Sequence, residues 1–277
     1  MSTVTTIEWT QGPNGEPGKS WNPVTGCDRV SPGCSRCYAE SIARRFAGGR
    51  GFPNGFSITL RPERLSHPLT WRKPTRVFVN SMSDLFHKDI PAAYVAAVFA
   101  VMARTPQHTY LVLTKRPARM RALLEYGARR LQFEADPEDA AVLAEAEWPL
   151  PHVQLGISAE DEHWAEVRQA ELWRTPNALP WISAEPLLGP IHLGLDAAEH
   201  LSWLVIGGES GPGAAPMHLD WAYSLIGQCR AAGIPVFVKQ LGSDWARRNG
   251  AAHPKGGDPA EWPAALRIRE YPQVVTP

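Results

Sequence analysis

The sequence predicts an α/β fold built as a single parallel βα barrel, full or partial, of six to seven βα units. Three observations predict it. Short apolar runs recur along the chain, at VFVNS (77–81), TYLVLTK (109–115), VQLGIS (153–158), LPWISAE (179–185), LSWLVIGGES (201–210) and IPVFVKQLG (234–242). Each is too short for a helix and lacks clean alternation, as expected of a parallel strand buried on both faces. Helix-like segments alternate with them, which is the rhythm of βα units. The length, 277 residues, suits one barrel of about 250 residues. No GxGxxG follows the first strand, which weakens the dinucleotide-binding, doubly wound alternative.

SWNPVTG (20–26) supplies a further strand at the start. IPAAYVAAVFAVMAR (90–104) has proline near its start and an apolar stripe at Tyr94, Val95, Val98 and Met102, the marks of a helix. PARMRALLEYG (117–127) is a second helix that stops at glycine. AEDEHWAEVRQAELWR (159–174) carries acids early and arginine late, matching a helix dipole. LDWAYSLIGQCRAAG (219–233) takes Asp220 as its expected cap and ends at Gly233. Residues 46–76, rich in Gly, Pro and Arg, read as a long excursion. The barrel then runs over 1–242, and 243–277 reads as an irregular tail packed on it.

Apolar residues make up 44% of the chain and charged ones 20%, as in ordinary globular proteins. No run approaches the roughly 18 apolar residues of a membrane span, and MSTVTTIEWTQ has neither a basic nor an apolar leader region. The expectation is a cytoplasmic protein with no membrane partner. Residues 1–133 hold 19 Lys+Arg against 8 Asp+Glu, and residues 134–277 hold 9 against 20. Arg44, Arg45, Arg50, Arg116, Arg119, Arg121, Arg129 and Arg130 would supply a polyanion-binding surface. The alternative is that the two halves neutralise each other within the fold.

In a βα barrel the chemistry gathers at the C-terminal ends of the strands. Polar residues recur there: Ser81 and Asp84; Thr114, Lys115 and Arg116; Ser158 and Glu160; Ser183 and Glu185; Glu209 and Ser210; Lys239 and Gln240. Burying so many polar groups is costly unless they meet a ligand or one another. Taken singly, each fits an internal salt bridge; taken as a set, they suggest a shared pocket. The glycine-rich turn GGESGPG (207–213) lets backbone N–H groups approach a ligand.

Three of the four cysteines, Cys27, Cys34 and Cys37, fall in one loop spanning 26–38, just after the first strand. In a reducing compartment such clustering favours metal binding or catalysis over disulfides. A closed zinc site needs a fourth ligand. Cys229, inside a predicted helix, is a poor one, so zinc would need a distant histidine. The other solution is a [4Fe-4S] cluster held by three thiolates, with one iron open to a substrate or cofactor.

A cysteine triad after the first strand of a βα barrel resembles the radical S-adenosylmethionine (SAM) superfamily, whose usual spacing is C-x3-C-x2-C; here it is C-x6-C-x2-C. More closely, WNPVTGC, SPGCSRCYAE, NSMSDLF, LTKRP, SAEPLLG, GGESGPGAAPMH, FVKQLG and KGGDPAEWP look like a phage- and bacteria-associated three-Cys-motif protein family, from about Glu8 to Tyr271. Its members resemble short relatives of spore photoproduct lyase, a radical-SAM DNA repair enzyme. The resemblance implies that Cys27, Cys34 and Cys37 ligate three irons and that SAM chelates the fourth. It implies cleavage of SAM to a 5′-deoxyadenosyl radical, and an electron donor as partner. Ser81 and Asp84 would meet the methionine amino end of SAM, and Ser158, Glu160 and Glu185 the ribose, with Glu209 completing the cofactor-binding set. Tyr38 would relay hydrogen and Cys229 would donate it, each weighed against simple packing. A basic residue is expected where Ala215 stands.

The implied substrate is nucleic acid, probed through DNA photoproduct repair or base modification. The basic N-terminal half would hold the phosphates, and Trp71, Phe52 and Phe56 would stack on bases. Two rivals remain: a non-catalytic, metal-stabilised nucleic-acid-binding protein, and a radical-SAM enzyme acting on a small molecule or peptide.

Overall fold

The apolar runs form strands because their side chains have nowhere polar to point. In the computed structural model, which describes residues 4–12, 15–194 and 196–272, β1 is Lys19–Trp21, β2 Val24–Thr25, β3 Thr59–Leu60, β4 Arg76–Val79 and β5 Thr109–Thr114. Then come β6 Val153–Ser158, β7 Trp181–Ala184, β8 Trp203–Gly207 and β9 Val236–Gln240. Every residue of β6, β7 and β8 is buried, as a strand covered on both faces requires. Seven strands make one parallel sheet in the order β1-β4-β5-β6-β7-β8-β9, so sequence order is spatial order. That is the arrangement of successive βα units. β2 and β3 pair separately and antiparallel.

The helices are α1 Tyr38–Arg45, α2 Ala92–Ala103, α3 Pro117–Leu124, α4 Ala128–Glu134, α5 Pro137–Glu145, α6 Glu162–Trp173, α7 Ala197–His200, α8 Leu219–Ala232 and α9 Ser243–Asn249. The expected helices form within a few residues of their read limits. Asp220 lies in the first turn of α8, whose cap position is His218 instead. Helices α4 and α5 were not expected. Asp136 caps α5, accepting from the N–H groups of Glu138 and Asp139, with Pro137 at the first helical position. The segment from 243, read as irregular, opens with α9, and Gly250 ends that helix in the left-handed conformation. Residues 273–277 of that segment lie outside the described residues.

The chain divides into two compact units. The first is residues 1–29, 39–156 and 171–179. Its core gathers Trp21, Val77, Val79, Leu111, Phe99 and Tyr110, all fully buried. Within it Arg61, buried at the start of the segment after β3, donates to the carbonyls of Gly51 (2.9 Å) and Arg50 (2.9 Å) and to Glu63 (2.7 Å). A guanidinium so used fastens the glycine-rich excursion by its middle. We expect Arg61→Leu to leave the core folded and to speed tryptic cleavage after Arg50 several-fold, read by limited proteolysis and mass spectrometry.

The second unit is residues 30–38, 157–170 and 180–277. Its core holds Trp181 and Trp203, with ring centroids 5.6 Å apart, and Phe237 and Tyr271 against Trp203.

Each edge of the sheet is covered from within its own unit. The N–H of Thr5 donates to Gly18 O (3.0 Å), and Val4 bridges Lys19 antiparallel. At β9, the N–H of Val238 donates to Ile268 O and that of Glu270 to Val236 O, each 2.8 Å. Such cover removes the free edge that another strand would use.

Candidate metal centre and its supports

In the first unit the loop that begins the cysteine segment is laced to the segment after β4. Asn22 exchanges hydrogen bonds with Ser81, accepting from its Oγ (3.3 Å) and donating to it (3.0 Å), and also accepts from the Met82 N–H (2.9 Å). Ser83 Oγ donates to Val24 O (2.9 Å), and the Gly26 N–H donates to Met82 O (3.0 Å). Gly26 has φ +93°, and a Cβ there would stand 2.2 Å from Ser57 O. Only glycine fits. Ser81, expected to meet a cofactor, is thereby engaged with Asn22.

Asp84 is 5% exposed. Its Oδ1 accepts from the Phe86 N–H (3.0 Å) and Thr114 Oγ1 (2.7 Å), and its Oδ2 from the Lys115 N–H (3.0 Å) and Arg116 Nη1 (2.9 Å). Four donors fill the carboxylate. Asp84 therefore holds Arg116. Arg116 in turn donates to Cys27 Sγ (3.4 Å) and Asp28 O (2.9 Å). Burial pulls the guanidinium down, but the charges of Asp84 and Cys27 outweigh it and hold Arg116 above its ordinary value.

Asp28, His87 and Asp89 present ligand atoms within 4.8 Å of one another. Both ring nitrogens of His87 are in use. Nδ1 accepts from the Asp89 N–H (3.2 Å), which leaves Nε2 to donate to Asp28 Oδ2 (3.1 Å). The trio works as a brace on the residue after Cys27.

The second unit carries Cys34 and Cys37, and its strand-end glutamates are turned to holding their loop. Glu160, fully buried, accepts from Ser31 Oγ (2.6 Å) and from Arg168 Nη1 (2.8 Å). Arg168 also donates to the carbonyl of Ser158 (2.8 Å). Ser31 Oγ lies 3.8 Å from Cys34 Sγ. Gly33 fits over Glu160 so closely that a Cβ would fall 2.5 Å from its Cγ. Glu209, 6% exposed, accepts from Arg36 Nη1 (3.2 Å) and from the Ala215 N–H (2.7 Å). Ala215 thus contributes its backbone where a basic side chain was expected. Glu185 takes Lys239 Nζ (2.6 Å) and Gln240 Nε2 (3.4 Å).

Glu160 and Glu209 are engaged in this way within the fold, while Ser158 gives its backbone carbonyl. Tyr38 is 49% exposed. Burial of its hydroxyl end, with the negative charges of Cys37 and Glu185, raises its phenol well above the ordinary range. Cys229 sits wholly inside α8, its thiol pushed up to about 12 by burial and by Glu270. Such burial is that of a packing residue. Cys27, Cys34 and Cys37 are in no disulfide and are partly exposed.

Sequence reading missed Ser31, Arg36, Arg116 and Arg168 as supports. Ser31 and Arg36 sit inside the cysteine loop itself, so their spacing was a usable signal. It missed Phe46 as well. On the excursion Phe52, Phe56 and Trp71 are partly buried, whereas Phe46 is 55% exposed with the Arg45 guanidinium 5.6 Å from its ring centroid. Arg45, Arg50, Arg72 and Lys73 are exposed and make no ion pair with any described residue. Elsewhere the charge split is partly internal: Arg104 pairs with Glu138 and Asp139, and Arg121 with Glu171.

No described helix is long and apolar enough to cross a membrane. No curated protein and no solved structure matches the chain. One family signature does, over residues 4–263. The chain therefore belongs to the family described as a protein of unknown function, DUF5131.

Proposed function

We propose that the protein is a radical-SAM-type [4Fe-4S] enzyme acting on nucleic acid in the reducing cytoplasm, with DNA photoproduct repair or base modification as its reaction. Cys27, Cys34 and Cys37 would hold the cluster. The single observation that carries the reading is a set of three partly exposed cysteines, in no disulfide, within eleven residues, with Arg116 beside Cys27 and Ser31 beside Cys34. The donor set fits: soft thiolates suit iron–sulfur centres, and clusters take thiolate ligands with hydrogen bonds to sulfur. Strands in barrel order add weight. Bound and reduced by an electron-donor protein, such a cluster supplies the electron that splits SAM to methionine and a 5′-deoxyadenosyl radical.

The chain's own residues do the rest. Arg116 neutralises the Cys27 sulfur, Glu160 fixes Ser31 beside Cys34, and Glu209 fixes Arg36 between Cys34 and Cys37. Glu185 follows β7 with Lys239 Nζ on its carboxylate, and Tyr38 opens α1 beside Cys37 with its phenol kept protonated by burial. Arg45, Arg50, Arg72, Lys73 and Phe46 supply charge and one stacking face for a polyanion.

Anaerobically reconstituted protein should bind about four irons and release 5′-deoxyadenosine from SAM on reduction. Replacing Cys27, Cys34 or Cys37 by alanine should abolish both, while Cys229→Ala leaves both. Nucleic-acid binding should fall with salt, and Arg45→Ala should lower the log–log salt slope by about 1. A colourless protein with one zinc and salt-dependent binding but no turnover would remove the enzyme and leave a binding module.

A further inference from the structure

A cation reaches the sulfur of Cys27. Arg116 Nη1 stands 3.4 Å from Cys27 Sγ and, on the same nitrogen, 2.9 Å from Asp84 Oδ2. Its second terminal nitrogen holds Asp28 O at 2.9 Å. Arg116 is thus fixed at three points. The Asp84 carboxylate is fixed as well, by Thr114 Oγ1 and two backbone N–H groups. The side chain of Arg116 is 14% exposed and that of Asp84 7%, so water does little to screen the charge. Cys34 has a neutral hydroxyl, Ser31 Oγ, at 3.8 Å.

We infer that Arg116 is a positioning residue for the metal centre, which makes Cys27 a weaker electron donor than an unsupported thiolate and so raises the reduction potential of the centre. This rests on the reading of the three cysteines as metal ligands. An N–H···S bond and a nearby positive charge both draw electron density from sulfur, and such bonds set cluster potentials. Asp84 serves by aiming Arg116, with its own charge largely consumed by four donors. Lysine cannot replace arginine here, because a single ammonium cannot span Asp84, Cys27 and the Asp28 carbonyl together.

The test compares wild-type protein with Arg116→Lys and with the charge-neutral pair Asp84→Asn/Arg116→Gln, which leaves no buried carboxylate without its cation. Arg104→Gln, whose ion pairs are with Glu138 and Asp139, is the control. Each is reconstituted with iron and sulfide, checked for fold by circular dichroism, and titrated under EPR. A midpoint lower in both Arg116 variants and unmoved in Arg104→Gln supports the inference. An unmoved midpoint in folded, cluster-bearing variants overturns it and leaves the cluster reading intact. If the wild type takes only a single ion, Co(II) replaces iron. A thiolate-to-cobalt band at lower energy in the variants then supports the role of Arg116 while removing the cluster. Wild-type protein that binds neither cluster nor Co(II) overturns both.

Discussion

Glu160→Ala should lose about 3–5 kcal/mol of stability, the range for breaking a buried ion pair by deleting one partner. Glu160 and Arg168 have side chains 0% and 1% exposed. Removing the carboxylate strands the guanidinium in the core and frees Ser31. A chain of this size should melt roughly 2–4 °C lower for each kcal/mol lost. Replacing both members by apolar residues of similar volume, Glu160→Leu/Arg168→Met, should recover most of that loss. It would still leave Ser31 without its acceptor, so iron loading should stay impaired. Urea titration of the three proteins settles it; a single mutant within about 0.5 kcal/mol of wild type, the range of an indifferent surface change, would falsify the assignment.

The second large effect is expected from Gly26→Ala. Left-handed backbone strains an L-residue by about 1–2 kcal/mol, and overpacking adds about 1–3 kcal/mol. The atom in the way is the Ser57 backbone carbonyl, which has no rotamer to escape into. Gly48→Ala is the internal comparison. Its φ is +78° and no atom lies within 4 Å of the new Cβ, so only the strain applies. Gly26→Ala should also disturb the Cys27 N–H bond to Phe56 O (3.1 Å) and with it metal loading. Equal melting temperatures for the two variants would show that the close approach at Gly26 carries no weight.

The strands were legible because burial on both faces leaves a mark within five or six residues, as at Val153–Ser158. Helix α8 was legible by its closing Gly233. Helix α5 was not read, although Asp136-Pro137-Glu138-Asp139 carries a cap, a proline start and early acids; its short, alanine-rich body hid the apolar stripe. The cysteines announced themselves by local spacing. Their supports did not, because Ser31 meets Glu160 across 129 residues, Arg36 meets Glu209 across 173 and Cys27 meets Arg116 across 89. Sequence placed the polar residues correctly at strand ends. It set internal pairing for each one against a shared pocket for all of them, and Asp84, Glu160 and Glu209 have partners within the chain.

The pairing of Val238 and Val236 with Ile268 and Glu270 bears on how the protein is made. On the ribosome β9 is complete some thirty residues before its cover is translated. A chain cut or broken off between β9 and Ile268 would leave those outer backbone groups open, a species shaped to capture a strand from a neighbour.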